Sequence, residues 1–199
     1  MNVSVLYSDE HLIIVDKPSG LAVHRGWAKD DVTLVDVVAE ILGAERVHLL
    51  GRLDRGASGV VMVARSSEMA NLLSSAGGQP LVHKVYWVLV RGVAPEEGVV
   101  DHPIPNKEGG ERVPALTRFR RLAWVETEIR SVSLVEATLE TGRLHQIRRH
   151  MKHAGHPVLG DSNYGVPALN RAFKERYGLD RLALHCRQVS FAAMCHAPR

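Results

Sequence analysis

Leu50-Gly51-Arg52-Leu53-Asp54-Arg55-Gly56-Ala57-Ser58-Gly59-Val60-Val61 sets a single carboxylate in a loop punctuated by three glycines and flanked by two arginines. Glycine lets the backbone turn tightly and lets a ligand or another segment approach. The run continues to Ala64 as Val60-Val61-Met62-Val63-Ala64, an unbroken apolar stretch of strand length. The reading is a loop that delivers polar groups to the mouth of a buried strand. From local chemistry alone, Asp54 reads first as an aspartate stabilising its own turn and only second as a reacting carboxylate.

Working outward, residues 2–7 and 11–16 read as strands around a turn at Ser8-Asp9-Glu10, followed by turn chemistry at Lys17-Pro18-Ser19-Gly20. Thr33-Leu34-Val35-Asp36 predicts a capping box that opens a helix ending near Gly43. Ser66 or Ser67 caps a second helix to about Ala76, stopped by Gly77-Gly78. Residues 84–91 alternate as a strand. Residues 93–114, with four prolines and several glycines, read as an irregular insertion. A strand at 132–139 precedes a helix at 143–154 closed by Gly155, and 182–191 read as a last strand. Strands outnumber helices and do not alternate regularly with them. That pattern predicts an α+β fold with a mixed, largely antiparallel sheet, as a single domain over 1–199. Only eight residues follow Phe191, which predicts a truncated C-terminus.

The net charge of +3 hides an asymmetry. Residues 1–100 carry 9 Lys and Arg against 12 Asp and Glu, whereas 101–199 carry 16 against 10. Within 141–187 there are nine basic and three acidic residues. A phosphate-rich partner suits this distribution as well as a solvated basic face does. No apolar run approaches the roughly 20 residues of a membrane helix, and the start lacks signal-peptide features. The expectation is a cytoplasmic protein with no membrane partner, monomeric, with Cys186 and Cys195 both reduced.

Two further segments hold candidate chemistry. In Thr141-Gly142-Arg143-Leu144-His145-Gln146-Ile147-Arg148-Arg149-His150-Met151, residues Leu144, Ile147, Met151 and Ala154 form an apolar helical stripe. Arg148 lies about 40° from Leu144, at the stripe's edge, and Arg149 about 140° away, facing solvent or ligand. An arginine beside a core needs a carboxylate, and Asp54 is the candidate; a packed stem with a solvated head is the alternative. In Lys84-Val85-Tyr86-Trp87-Val88, Tyr86 points to the face opposite Val85, Trp87 and Leu89. There it either fills the core or meets a ligand. His145, His150, His153 and His156 cluster, but their spacing and the lack of a completing glutamate do not make a zinc pattern. No metal is expected.

Together these segments resemble the RluA family of pseudouridine synthases. Arg52-Leu53-Asp54-Arg55 with Ser58-Gly59 is similar to the family's catalytic loop, Lys84-Val85-Tyr86 to its Lys-x-Tyr strand, and Thr141 to Arg148 to its Thr-Gly-Arg-x-His-Gln-Ile-Arg block. Val15-Asp16-Lys17-Pro18-Ser19-Gly20-Leu21, Gly155 to Asp161 with Tyr164-Gly165, and Leu184-His185 with Phe191 follow the same order. The family usually has His at the place of Gly51 and Thr at that of Ala57. The expectation is a catalytic domain without the S4-type RNA-binding domain that many relatives carry. Val23-His24-Arg25-Gly26-Trp27, Asp161-Ser162-Asn163, Asn170-Arg171 and Tyr177-Gly178-Leu179 look most like the branch that acts on tRNA position 65.

The resemblance implies an isomerase that converts uridine to pseudouridine in structured RNA, tRNA before large-subunit rRNA, with no cofactor. Asp54 is implied as the essential carboxylate, with Arg148 holding it ionised and Tyr86 against the uracil or removing its C5 proton. Arg52, Arg55, Lys84, Arg143, His145, Gln146, Arg149 and Leu184 are implied in substrate binding. Arg118, Arg120, Arg121, Lys152 and Arg171 join Arg55, Arg143 and Arg149 as candidates for phosphate contact. Two rivals stand beside this reading. A non-catalytic RNA-binding relative draws on Gly51. A hydrolase with paired carboxylates lacks an evident second carboxylate near Asp54 in sequence.

Overall fold

The computed structural model describes residues 2–25, 31–74, 82–107 and 109–191. In chain order the elements are β1 (Ser4–Ser8), β2 (Leu12–Lys17), α1 (Leu34–Leu42), β3 (His48–Leu49), β4 (Ser58–Ala64), α2 (Ser67–Ser74), β5 (Val82–Arg91), β6 (Glu97–Asp101), β7 (Ile104–Pro105), β8 (Arg112–Val113), β9 (Leu116–Val125), β10 (Val132–Leu139), α3 (Gln146–His153), α4 (Pro167–Tyr177) and β11 (Leu184–Phe191). The apolar run after the Asp54 loop becomes β4. Its Val61 and Val63 join the main core while Met62 and Ala64 join a smaller one on the other face. Burial on both faces explains why the run does not alternate.

The strands form a sheet in the order β1-β2-β4-β11-β5-β10-β9-β6, with β3 also pairing β4. The β4–β11 pair is parallel and the others are antiparallel. This is the mixed, mostly antiparallel α+β sheet that the element order predicts. The parallel pair is the one that matters for the site. It sets Ser58 against His185 and Gly59 against Cys186, so the loop carrying Asp54 opens beside the start of β11. Gly59 has φ +114°, and a Cβ there would lie 2.2 Å from the Cys186 carbonyl oxygen.

Helices α1 and α3 pack on one core through Leu34, Val38, Ile147 and Met151, with Val15, Val88 and Val135 beneath them. At nine residues, α1 is too short to persist alone. Its capping box is present as read: Asp36 N donates to Thr33 Oγ1, and Thr33 N donates to Asp36 Oδ2. Gly43 closes it in the left-handed region. Burying Leu34 and Val38 fully adds about 1.5–3 kcal/mol each.

Three expectations change. Residues 93–114 are not one irregular insertion: Glu97–Asp101 form an edge strand of the main sheet, and β7 pairs β8. The prolines at 95 and 103 flank β6 rather than interrupt it. The α3 helix starts at Gln146, not 143, because His145 takes a left-handed conformation at φ 53°. Leu144 therefore leaves the helical stripe. Strand β9 and helix α4 have no counterpart in the sequence reading. The predicted second helix is present as Ser67–Ser74; its end at Ala76, Gly77-Gly78, and the Gly26-Trp27 and Cys195 calls lie outside the described residues.

Candidate active site

The Asp54 loop is held from two sides. From the N-terminal side, Lys17 Nζ donates to the carbonyls of Pro18, Leu21 and Arg55 at 2.9, 2.9 and 3.2 Å. Ser19 Oγ donates to the Gly56 carbonyl at 2.6 Å. Arg55 Nε donates to the Gly20 carbonyl at 3.0 Å. Lys17 is wholly buried. Burial pulls it down to about 8, and the nearby Asp54 opposes that pull. From the β11 side, Ser58 Oγ lies 3.0 Å from His185 Nδ1 and accepts from Arg181 Nη1 at 3.0 Å.

The loop faces the start of α3, 94 residues away in sequence. Arg148 Nη1 donates to Asp54 Oδ2 at 3.0 Å. On its other side the same guanidinium makes a two-pronged bond to Asp161, Nε to Oδ2 and Nη2 to Oδ1, both at 2.8 Å. Asp161 is 1% exposed, and its Oδ1 also accepts the backbone N–H of Asn163 and Tyr164. Burial alone would raise Asp161, but Arg148 and these N–H groups outweigh it and hold the carboxyl below its usual range. Arg148 is thus locked to Asp161 by a fork and touches Asp54 through one nitrogen. Asp54 keeps Oδ1 toward His145, whose Nε2 is 3.9 Å away.

Tyr164 ties this cluster together. Its hydroxyl lies 3.1 Å from His145 Nδ1 and accepts from Arg149 Nε at 2.9 Å. Its ring lies under the Arg148 and Arg149 guanidiniums at 5.1 and 5.4 Å. Burial pushes His145 below its usual range against the pull of Asp54, so the ring is neutral at pH 7.

In front of Asp54 lies a cleft of about 780 Å³, within the roughly 300–1,000 Å³ of small-ligand sites. Asp54, Tyr86, Arg148, Arg52, Arg55 and Leu184 all line it, as do Lys84, Arg143, His145 and Gln146. Tyr86 sits on the core face of β5, 4% exposed. Burial first, then Cys186 and Asp54, raise its phenol well above the usual range, so it stays protonated. Arg149 lies behind the cleft, over Tyr164, rather than in its wall. Gln146 is committed internally: its Oε1 accepts from Thr141 Oγ1 and Arg143 N, and its Nε2 donates to Leu116 O and Thr117 Oγ1. Of the phosphate candidates, Arg118 and Arg120 are exposed and pair with Glu140 and Glu136 across β9 and β10.

Of the clustered histidines, His150 has both ring nitrogens engaged, by Thr117 Oγ1 and the His102 carbonyl. His156 Nδ1 meets the Arg91 carbonyl. Among the described residues no group of His, Cys, Asp and Glu is arranged to hold a metal ion. Lys17, Tyr164 and Asp161 were quoted in the sequence reading as motif residues but given no role there, and the structure brings all three into the network around Asp54. The signal for Asp161 was weak but present, since a buried arginine with one visible partner implies a second when its fork has two open prongs.

The family model described as RNA pseudouridylate synthase matches residues 11–153. The tRNA pseudouridine synthase C of Haemophilus ducreyi is 38% identical over 96% of this chain and 86% of its own length. The protein of the same name from Yersinia pestis is 36% identical over 92% and 78%. Among solved structures, human RNA pseudouridylate synthase domain containing 1 superposes with a TM-score of 0.77 at 24% identity, covering 94% of this chain and 78% of its own. Human RNA pseudouridylate synthase domain containing 4 does so with 0.73 at 28%, covering 93% and 82%.

Proposed function

The chain belongs to the RNA pseudouridylate synthase family, and from that premise we propose that it isomerises uridine to pseudouridine in tRNA, at position 65, with Asp54 as the reacting carboxylate. The observation that carries the reading is the geometry of Asp54. One oxygen is steadied by Arg148, the other lies 3.9 Å from His145 Nε2, and the residue lines a nucleoside-sized cleft.

The reaction breaks the bond between N1 of the uracil and C1′ of the ribose, turns the base, and joins C5 to C1′. N1 gains a proton and C5 loses one, so no electrons or groups are exchanged with a cofactor. A stacked base cannot do this in place and must be flipped into the cleft. An ionised carboxylate serves by attacking directly or by assisting departure of the base. Arg148, donating to it at 3.0 Å, fixes its direction. Tyr86, kept protonated, serves as a packing surface and hydrogen-bond donor to the uracil. Leu184 supplies an apolar wall. The basic residues around the α3 start suit backbone recognition, since folded RNA is read largely through shape and phosphates.

Pseudouridine mapping of total RNA from cells with and without the gene tests this. The reading predicts one signal lost at tRNA position 65. A lost signal in large-subunit rRNA instead would move the target, and an unchanged map would refute the activity.

A further inference from the structure

Among the described residues that line the cleft, Lys84 is a half-buried cation that the network around Asp54 leaves unused. Arg148 is divided between Asp161 and Asp54, and Lys17 is spent on three backbone carbonyls. Arg143 Nε donates to the Pro114 carbonyl. Arg52 is exposed. Lys84 is half-buried, lies on the same side of β5 as Tyr86 two residues on, and lines the cleft with Asp54. Among the described residues no hydrogen bond or ion pair holds its ammonium group.

Its position depends on Gly51. That residue has φ +97°, and a Cβ there would lie 2.6 Å from Lys84 Nζ. The missing side chain of residue 51 is therefore the space that the ammonium group occupies. A half-desolvated cation with no partner carries an uncompensated cost. In a cleft wall, that cost is recovered by a ligand bearing negative charge.

The reaction supplies such a charge. When the N1–C1′ bond breaks, the electron pair stays with the uracil, and the negative charge spreads over N1, O2 and O4. Resting on the isomerase reading above, we propose that Lys84 is a catalytic residue whose ammonium group stabilises the departing uracil anion. A fixed cation in a partly dehydrated site is worth more to a charge that develops in the transition state than to the neutral base beforehand. The contribution belongs in the rate of the chemical step, not in RNA affinity. A phosphate contact by the same lysine would do the reverse.

The test is single-turnover kinetics and RNA binding of wild type and Lys84→Met on a tRNA transcript, with melting curves to show that both are folded. Lys84→Met is expected to slow the chemical step by about 10²–10³-fold with RNA affinity unchanged. Burial lowers the ammonium's proton affinity, opposed by Cys186. The wild-type rate therefore falls on the alkaline side as Lys84 loses its charge, and that component is absent from Lys84→Met, which keeps only the fall that Lys17, at about 8, gives to both proteins. A merely structural lysine would not move this limb. An unaltered rate, or a loss of affinity with an unaltered rate, overturns the proposal. A wild-type protein that makes no pseudouridine overturns the isomerase reading instead.

Discussion

Replacing Asp161 by Asn removes one negative charge and almost no volume from the most buried ion pair among the described residues. Oδ1 of Asp161 accepts three N–H groups, from Arg148, Asn163 and Tyr164, and the amide oxygen of an asparagine takes over that role. The amide nitrogen then falls where Oδ2 accepted Arg148 Nε at 2.8 Å, so a donor faces a donor. A charge-assisted bond of this kind contributes about 1.5–3 kcal/mol. Breaking a buried pair from one side costs about 3–5 kcal/mol in all, because Arg148, 6% exposed, retains its charge. At about 2–4 °C per kcal/mol for a chain of this size, Tm falls by about 6–20 °C. The acid side separates this from a packing defect. The folded carboxyl lies below its unfolded value of about 3.9. Its stabilisation is therefore complete above that pH and lost as pH falls through the lower folded value. Urea denaturation between neutral pH and pH 3 should show a steeper loss in wild type than in Asp161→Asn. Catalysis should also fall, because Arg148 loses its fork and turns onto both oxygens of Asp54. A Tm within experimental error of wild type, with equal acid sensitivity, would refute the assignment of Asp161 as the anchor of Arg148.

Two other changes probe the frame around the site. Gly59→Ala places a methyl group against the Cys186 carbonyl in a left-handed backbone position, so the β4–β11 pair opens and soluble folded protein is lost; a variant that expresses and melts like wild type would contradict that register. Burial raises Cys186 to about 11, with Lys84 opposing. Stability from its neutral thiol is complete below the unfolded value of about 8.5 and lost as pH rises toward 11. Between pH 8 and 10.5 wild type should lose about 2 kcal/mol more than Cys186→Ala, at about 1.4 kcal/mol per pH unit, and equal slopes in urea titrations would exclude it.

What was legible in the sequence was local. The capping box at Thr33, the apolar run after Gly59 and the alternation at 132–139 each carry their own physical signature, and each becomes the element it predicts. The left-handed turn at His145 has no such signature, because the residue is not glycine, and the helix start was misplaced by three positions. Strand β6 was hidden by its prolines, which mark its borders. At the site, Arg148 at the edge of an apolar stripe asked for a carboxylate. What spacing could not show is that two carboxylates answer, one 94 residues before Arg148 and one 13 residues after it. The absence of a second carboxylate near Asp54 in sequence is therefore a feature of chain order only. Asp161 lies one guanidinium away, but it is buried and saturated, so it anchors Arg148 and is not free to react. Lys17 was quoted as turn chemistry and as part of the opening motif but given no role, since nothing local distinguishes a surface lysine from one that closes three carbonyls.

The central claim is that Asp54 performs the chemistry and is not a turn-former. Its most direct test is Asp54→Asn, which keeps the volume and one acceptor while removing the charge. Pseudouridine formation on a tRNA transcript and RNA affinity are measured side by side. The account predicts that binding persists and pseudouridine formation vanishes. Pseudouridine formed by the variant at the wild-type rate would contradict it.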